Sequence, residues 1–478
     1  MTDESLGSGT ASPLVRFLAA IGLDRPELRA WAMYDWANSA MVTTIIAAVF
    51  PGYFSKVAAA TLRPEQATQL YAVVSTFAMV VIALLSPVMG ALADQRPIKK
   101  RMLGLFMALG VAAVAAMFFI QQGNYILAST LFILANIGAN GSFVFYDSLL
   151  PHVARPEEVD RVSTAGYALG YLGGGILLVL NLLWILHPGW FGLPSGPETM
   201  PDQRTLPARL AFLSVAVWWT VFSIPLFRSV REPSIELSSV IAAESPLRAA
   251  VREMVGTFKE LRRYKQGFLM LLAFLIYNDG IGTIFRMATI YGTEIRLPQE
   301  AMIAALVLVQ FIGIPCAFGF GWLAGKVGAK RSILFALAVY TGISVLAGFM
   351  STATHFFLLA ILVGMVQGGS QALSRSLFAS LIPRDRSGEF FGFFAVVEKF
   401  AGIFGPLIFF ASSVLLGSSR YAIVSVILFF VMGGVLLLFV DVEEGQRAAR
   451  LQSNVPGTDR VGSAIADHVS SKRRRRPQ

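Results

Sequence analysis

Two short stretches set a carboxylate beside an aromatic ring in otherwise apolar sequence. Tyr34-Asp35 opens "YDWANSA" (34–40), and Tyr277, Asn278 and Asp279 share "YNDG" (277–280). Two others repeat amides at helical spacing: Asn136 with Asn140, and Gln367 with Gln371, then Ser374 and Arg375. Residues four apart lie on one helix face, so each set forms a polar stripe, as do Asp35, Asn38 and Ser39. Such stripes can hold a small polar solute or pass a proton. In hydrocarbon a charged member costs at least ~2.5 kcal/mol, which makes each a functional candidate.

The elements that carry these residues are read as membrane spans. Of 478 residues, 55% are hydrophobic and 14% charged, against roughly 25% charged in a soluble domain. No Asp, Glu, Lys or Arg falls between Arg101 and Asp147 or between Arg331 and Arg375. Each of these stretches holds two spans of about 20 residues, broken by "QQGN" (121–124) and "STATH" (351–355). The pattern predicts an all-α membrane protein of about twelve spans. They fall near 30–54, 68–93, 102–121, 124–148, 162–187, 206–228, 267–293, 299–325, 332–351, 355–379, 389–416 and 420–441. The alternating ten-residue segments of a membrane barrel are absent. The first span is expected to serve for targeting, because no basic stretch followed by an apolar run opens the chain.

"RPIKKR" (96–101), "RPEEVDR" (155–161), "KVGAKR" (326–331) and "RDR" (384–386) fall on one side of this topology. The excess of Lys and Arg places that side, and both termini, in the cytoplasm, with the chain in the plasma membrane if the source is bacterial. The net charge of +10 then faces anionic headgroups and implies no nucleic-acid partner. The expected layout is a cytoplasmic segment 1–29, six spans over 30–228, a cytoplasmic middle loop 229–266, six spans over 267–441 and an unstructured basic tail 442–478. Within the loop, Leu247, Val251, Met254, Val255, Phe258 and Leu261 share one face of a predicted interfacial helix. The lone Cys316 builds neither disulfide nor metal site, and no cofactor is expected.

The halves repeat. "GALADQRPIKK" (90–100) aligns without a gap on "GWLAGKVGAKR" (321–331), and "SLLP" (148–151) matches "SLIP" (380–383) at nearly the same offset. Two six-helix bundles related by an axis along the membrane normal follow. The first of these motifs resembles the cytoplasmic loop signature of the major facilitator superfamily. Gly90, Asp94 and Lys99 match it, and Gln95 and Pro97 depart. The second copy has Gly325 where the carboxylate would stand. "GYALGYLGGG" (166–175) is similar to the superfamily's glycine motif in span five, with Tyr171 in place of Pro. It implies close packing through Gly166, Gly170 and Gly174. With "GYLGGG", "YDWANSA", "YNDG", "QGGSQALSRS" (367–376) and "GEFFGFF" (388–394), the whole chain resembles the vacuole-effluxer-like branch.

That resemblance implies a twelve-helix transporter, a monomer whose partners are the bilayer and a small-molecule substrate, an amino acid by family analogy, with proton coupling open. It also implies that spans one, four, seven and ten line the cavity, where Asp35, Asn38, Asn136, Asn140, Asn278, Asp279, Gln367, Gln371 and Arg375 lie. Asp94 would join cytoplasmic helix ends with Arg96 or Lys99, and Gly321, Lys330 and Arg331 would form the second gate motif. Depth separates the carboxylates. Asp279 lies about 18 Å into its span, near the midplane, and Asp35 about 8 Å in, near the inner headgroups. Asp35 is open to a gate or a binding role, and Tyr34 and Trp36 to an interfacial or a cavity position. Enzyme chemistry finds little support. Intramembrane aspartyl proteases need Gly-x-Gly-Asp beside a Tyr-Asp such as Tyr34-Asp35 or Tyr146-Asp147, and the chain has only "DGIG" in reverse. A ligand sensor or scaffold on a transporter fold is the remaining alternative.

Overall fold

The computed structural model describes residues 13–194, 200–233, 264–294, 297–400 and 426–453. A short helix α1 (Pro13–Ala20) precedes the spans. These are α2 (Pro26–Ala58), α3 (Pro64–Gln95), α4 (Lys99–Ala116), α5 (Tyr125–Val153), α6 (Val159–Leu186) and α7 (Leu206–Ser229) in the first half. The second half supplies α8 (Lys265–Glu294), α9 (Gln299–Val327), α10 (Ala329–Ala347) and α11 (Ala353–Ser380). Then come α12 (Ser387–Phe400), α13 (Ile427–Leu438) and α14 (Val442–Ser453). Among the described residues, the ten helices α2 to α11 are long and apolar enough to cross a bilayer. Helix α12 overlaps the expected span eleven, starting two residues before it, and α13 lies within the expected span twelve. The segment 401–425 between them, and the apolar face from Leu247 to Leu261 of the predicted interfacial helix, lie outside the described residues.

Local chemistry sets the helix ends. Pro26 and Pro64 stand in the first turns of α2 and α3, where a missing N–H costs nothing. Thr352 Oγ1 caps α11 by accepting from His355 N at 3.3 Å. Gly328, at φ +87°, makes the one-residue turn between α9 and α10 that a side chain would strain. On α3, Val73, Phe77, Val80 and Leu84 are exposed at spacings of three and four, a stripe that only lipid would cover.

Two interlocked crossings join the bundles at the end bearing the basic loops, here called the basic end. Helix α3 crosses α12 where a Cβ on Gly90 would sit 2.1 Å from the Gly388 carbonyl oxygen, and one on Gly392 would sit 2.6 Å from that of Ser86. Helix α9 crosses α6 where a Cβ on Gly321 would sit 2.3 Å from Thr164 Oγ1. Span two of each half therefore packs on span five of the other, in keeping with the internal repeat.

The structure differs from the sequence reading in several places. The tail expected to be unstructured from 442 is helical over Val442–Ser453. Asp441 Oδ1 caps it through Glu444 N at 3.0 Å, and Gln446 Nε2 donates to Ser380 Oγ at 3.3 Å. Gly445 is tight on the basic end of α11, where its Cβ would meet Leu381 at 2.5 Å. The segment 1–29 likewise carries α1 and the first turn of α2. Because α2 starts at Pro26 rather than 30, Asp35 lies about 14 Å from the helix start, deeper than expected. Tyr34 is fully buried, and Trp36 stacks on Trp218 at 5.6 Å inside the bundle, so neither is an interfacial aromatic. Leu178 of α6 is 3% exposed and packs inside the bundle, not against lipid.

Candidate functional site

Helix α2 brings Trp31, Asp35 and Ser39 to one face, and α6 lies against that face because its glycines allow it. A Cβ on Gly170 would sit 2.6 Å from Ser39 Oγ and 2.8 Å from Asp35 Oδ1. One on Gly174 would meet Thr43 at 3.0 Å, and one on Gly166 would meet Trp31 at 3.0 Å and the Arg375 guanidinium at 3.2 Å. The glycine spacing of four thus serves close approach and clears space over a carboxylate. Beyond it, α2 widens into turns with i→i+5 geometry over Met41–Val49 and Phe54–Ala58. Pro51, without an N–H, lies between them.

Arg375 of α11 enters this space from the other bundle and is 2% exposed. Its Nη1 donates to Asp147 Oδ1 at 3.0 Å and to Asp35 Oδ2 at 3.4 Å. Its Nε donates to Ser163 Oγ at 2.9 Å and its Nη2 to the Ser163 carbonyl at 3.0 Å. Three rings flank it: Tyr167, Trp31 and Tyr146 lie 4.5, 4.9 and 5.5 Å from its Cζ. Trp31 and Tyr146 stack at 4.4 Å, and Tyr146 Oη donates to Asp35 Oδ2 at 3.4 Å. A buried charge must be paired and hydrogen-bonded. Here one cation from the second half satisfies two anions of the first.

A second network closes the basic end. Asp94 at the end of α3 pairs with Lys99 Nζ at 2.7 Å. It also accepts Gly388 N at 3.0 Å and Glu389 N at 2.6 Å, the unpaired amides that open α12. A carboxylate there meets the positive end of the helix dipole. Lys99 Nζ also donates to Ser387 Oγ at 2.7 Å and lies 3.3 Å from His152 Nε2. Arg96 is exposed, so Lys99 is the ion partner of Asp94. In the second motif copy, Lys330 Nζ donates to the carbonyls of Leu438 and Val440 at 2.8 Å each. That caps the end of α13, while Arg331 and Gly325 are exposed. The carboxylate lock is therefore one-sided.

The remaining candidates fall into separate groups. Gln371 Nε2 donates to Asn278 Oδ1 at 2.7 Å, joining α11 to α8. Gln367 is half-buried with its Oε1 unbonded. Asn38 Nδ2 donates to Ser142 Oγ at 3.3 Å. Asn136 and Asn140 donate to carbonyls of their own helix, those of Phe132 and Asn136, each at 2.9 Å. Asp279 is fully buried, about 21 Å from the start of α8. Sequence reading missed Trp31, Tyr146, Asp147, Ser163 and Tyr167 as site residues. One signal was present: Tyr146-Asp147 in span four repeats Tyr34-Asp35 in span one. Asp147 lay at the predicted span end and passed for a boundary charge.

Two six-helix bundles crossing at glycines, with buried charge shared between them, define a membrane transporter of the major facilitator type. Solved transporters share the fold. The major facilitator superfamily transporter FucP, in its outward conformation, superposes with a TM-score of 0.65 at 14% identity, covering 87% of this chain and 100% of that one. The proton:xylose symporter XylE gives 0.63 at 11% identity, covering 89% and 96%. A bacterial homologue of the iron transporter ferroportin gives 0.61 at 16% identity, covering 87% and 98%. Within that class the chain belongs to the Atg22-like vacuole effluxer family, which it matches over residues 23–450. It is 34% identical to YxiO of Bacillus subtilis, described as an uncharacterized MFS-type transporter, over 89% of this chain and 97% of that protein. It is 26% identical to autophagy-related protein 22-1 of Aspergillus fumigatus over 60% of this chain. That match spans about half of the fungal protein's length, 49%. YxiO and these solved neighbours are named as transporters, not enzymes.

Proposed function

We propose that the chain is a secondary transporter that moves a small polar solute by alternating access, an amino acid being the first candidate. The basic end and both termini face the cytoplasm, so the arrangement described is closed inward. We take 30–228 and 267–441 as the moving bundles, 229–266 as their cytoplasmic connection, and a monomer as the working unit. The observation that carries this reading is the Arg375 cluster. It ties the bundles together through one buried guanidinium, and opening that end must undo it. Asp35 and Arg375 therefore act as a gate, with Asp94 and Lys99 holding the adjoining crossing. Asn278, Gln371, Gln367, Asn38, Asn136 and Asn140 supply polar atoms along the path beyond it. Asp279, buried at mid-depth, is the candidate proton carrier, since an intramembrane carboxylate is a functional group by default.

The test is uptake of an amino-acid mixture into proteoliposomes, with and without an imposed pH gradient. Saturable uptake that the gradient drives uphill supports the full reading. Uptake indifferent to the gradient removes the proton from it. Binding without uptake would make the chain a sensor on a transporter fold.

A further inference from the structure

The partition of charge at the Arg375 cluster points to a substrate class. Asp35 and Trp31 come from α2, Tyr146 and Asp147 from α5 and Tyr167 from α6, all in the first bundle. The second bundle supplies the only cation, the guanidinium, with the Glu398 carboxylate of α12 also within electrostatic reach of Asp147 and Tyr167. If the bundles part at the basic end, Arg375 leaves with α11. What stays is a box of two carboxylates and three aromatic faces without its cation. Stripping a buried ion pair of one partner costs about 3–5 kcal/mol while the carboxylates stay dry, so the box, when shut off from water without Arg375, needs a replacement cation. A proton would neutralise a carboxylate, but it has no use for ring faces 4.5 to 5.5 Å from the cation centre. Aromatic faces beside carboxylates are the recognition chemistry of an organic cation. We infer that this box binds the ammonium or guanidinium head of the transported solute, and that Arg375 is its built-in competitor. Solute and Arg375 then occupy the box by turns: return of the guanidinium as the basic end closes expels the solute's head. The inference deepens the transport reading, yet binding can be measured apart from transport.

The roles of Arg375 predict opposite signs. As a competitor, its removal frees the box and raises apparent affinity for a cation, because the competent fraction grows. As a partner for a substrate carboxylate, its removal lowers affinity. The experiment is calorimetric titration of the purified full-length protein with agmatine, L-arginine, L-leucine and 4-methylpentanoate, the last being leucine without its ammonium group. Arg375→Gln should bind at least one of the three cation-bearing probes about tenfold more tightly than wild type. Asp147→Asn and Tyr167→Ala should each weaken the same probe by about tenfold. Preference for agmatine and arginine assigns the box to a side-chain cation, and equal binding of arginine and leucine assigns it to an α-ammonium group. If Arg375→Gln does not fold, Ser163→Ala decides. It removes the Nε bond at 2.9 Å and the bond that Ser163 Oγ donates to the Ala372 carbonyl at 2.8 Å, both to α11, and should tighten binding by about threefold. Weaker or unchanged cation binding in Arg375→Gln and Ser163→Ala, unchanged binding in Asp147→Asn and Tyr167→Ala, or 4-methylpentanoate binding as well as leucine, overturns the inference. Leucine uptake without any such cation effect would overturn it while leaving the transporter intact. Cation binding without uptake would do the reverse.

Discussion

Consider the replacement of Asp94 by Asn. Asp94 and Lys99 both belong to the first bundle, so their 2.7 Å pair survives opening and does not favour either state. The bonds that favour closure are those crossing to the second bundle, from Gly388 N at 3.0 Å and Glu389 N at 2.6 Å. Hydrogen bonds to a charged group contribute about 1.5–3 kcal/mol each, and the helix start adds up to ~1 kcal/mol more. Asparagine keeps one acceptor oxygen without the charge, so closure should weaken by about 2 kcal/mol, roughly 30-fold in the opening equilibrium. Alanine removes both acceptors and should exceed about 100-fold. Ser86→Cys in a Cys316→Ala background reports this, because Ser86 is 4% exposed and covered by Gly392 of α12. Maleimide labelling from the basic side should accelerate by those factors, in that order. Equal rates in wild type and Asp94→Ala would refute the lock, since the amides of α12 would then favour neither state.

Other outcomes follow from the same contacts. Arg375→Gln leaves Asp35 and Asp147 buried without their cation and should lose about 3–5 kcal/mol of stability. Adding Asp147→Asn should recover part of that in a thermal melt, and strict additivity would deny the coupling. Gly170→Leu should cut folded yield, because even a Cβ meets Ser39 at 2.6 Å. The control Leu180→Ala, at a position 42% exposed, should leave yield unchanged, and equal losses would contradict the packing. Asp279→Asn should abolish gradient-driven accumulation while sparing counterflow exchange, and wild-type accumulation would make the residue structural. Single cysteines at Thr61 and Ser351 should label from outside the cell and those at Arg96 and Arg155 from inside. The reverse pattern would invert the orientation.

Spans and repeat were legible because both are local patterns: apolar length, charge gaps and a glycine-carboxylate motif at fixed offset. The packing face of α6 was legible for the same reason, through glycines four apart. The site was only half legible. Arg375 and Asp35 stood out as charges in apolar sequence, but no local signal says that they meet across 340 positions. Asp147 was hidden by its place near a helix end. Trp31, Ser163 and Tyr167 look like ordinary span residues until tertiary packing turns them toward one guanidinium. Depth counted from a predicted span start misplaced Asp35, since Pro26 begins the helix one turn earlier than hydropathy suggests. The tail helix depends on docking against Leu381 and Gln266, which composition cannot foresee.

The claim on which the account rests is that the two bundles part at the basic end once its inter-bundle contacts are undone. Spin labels at cysteines replacing Arg155 and Arg331, exposed residues on opposite bundles, read that separation directly by pulsed dipolar spectroscopy. In a Cys316→Ala background the account predicts one dominant short distance, and a second, longer population when Asp94→Ala and Arg375→Gln are combined. An unchanged single distance in the folded double variant would contradict it.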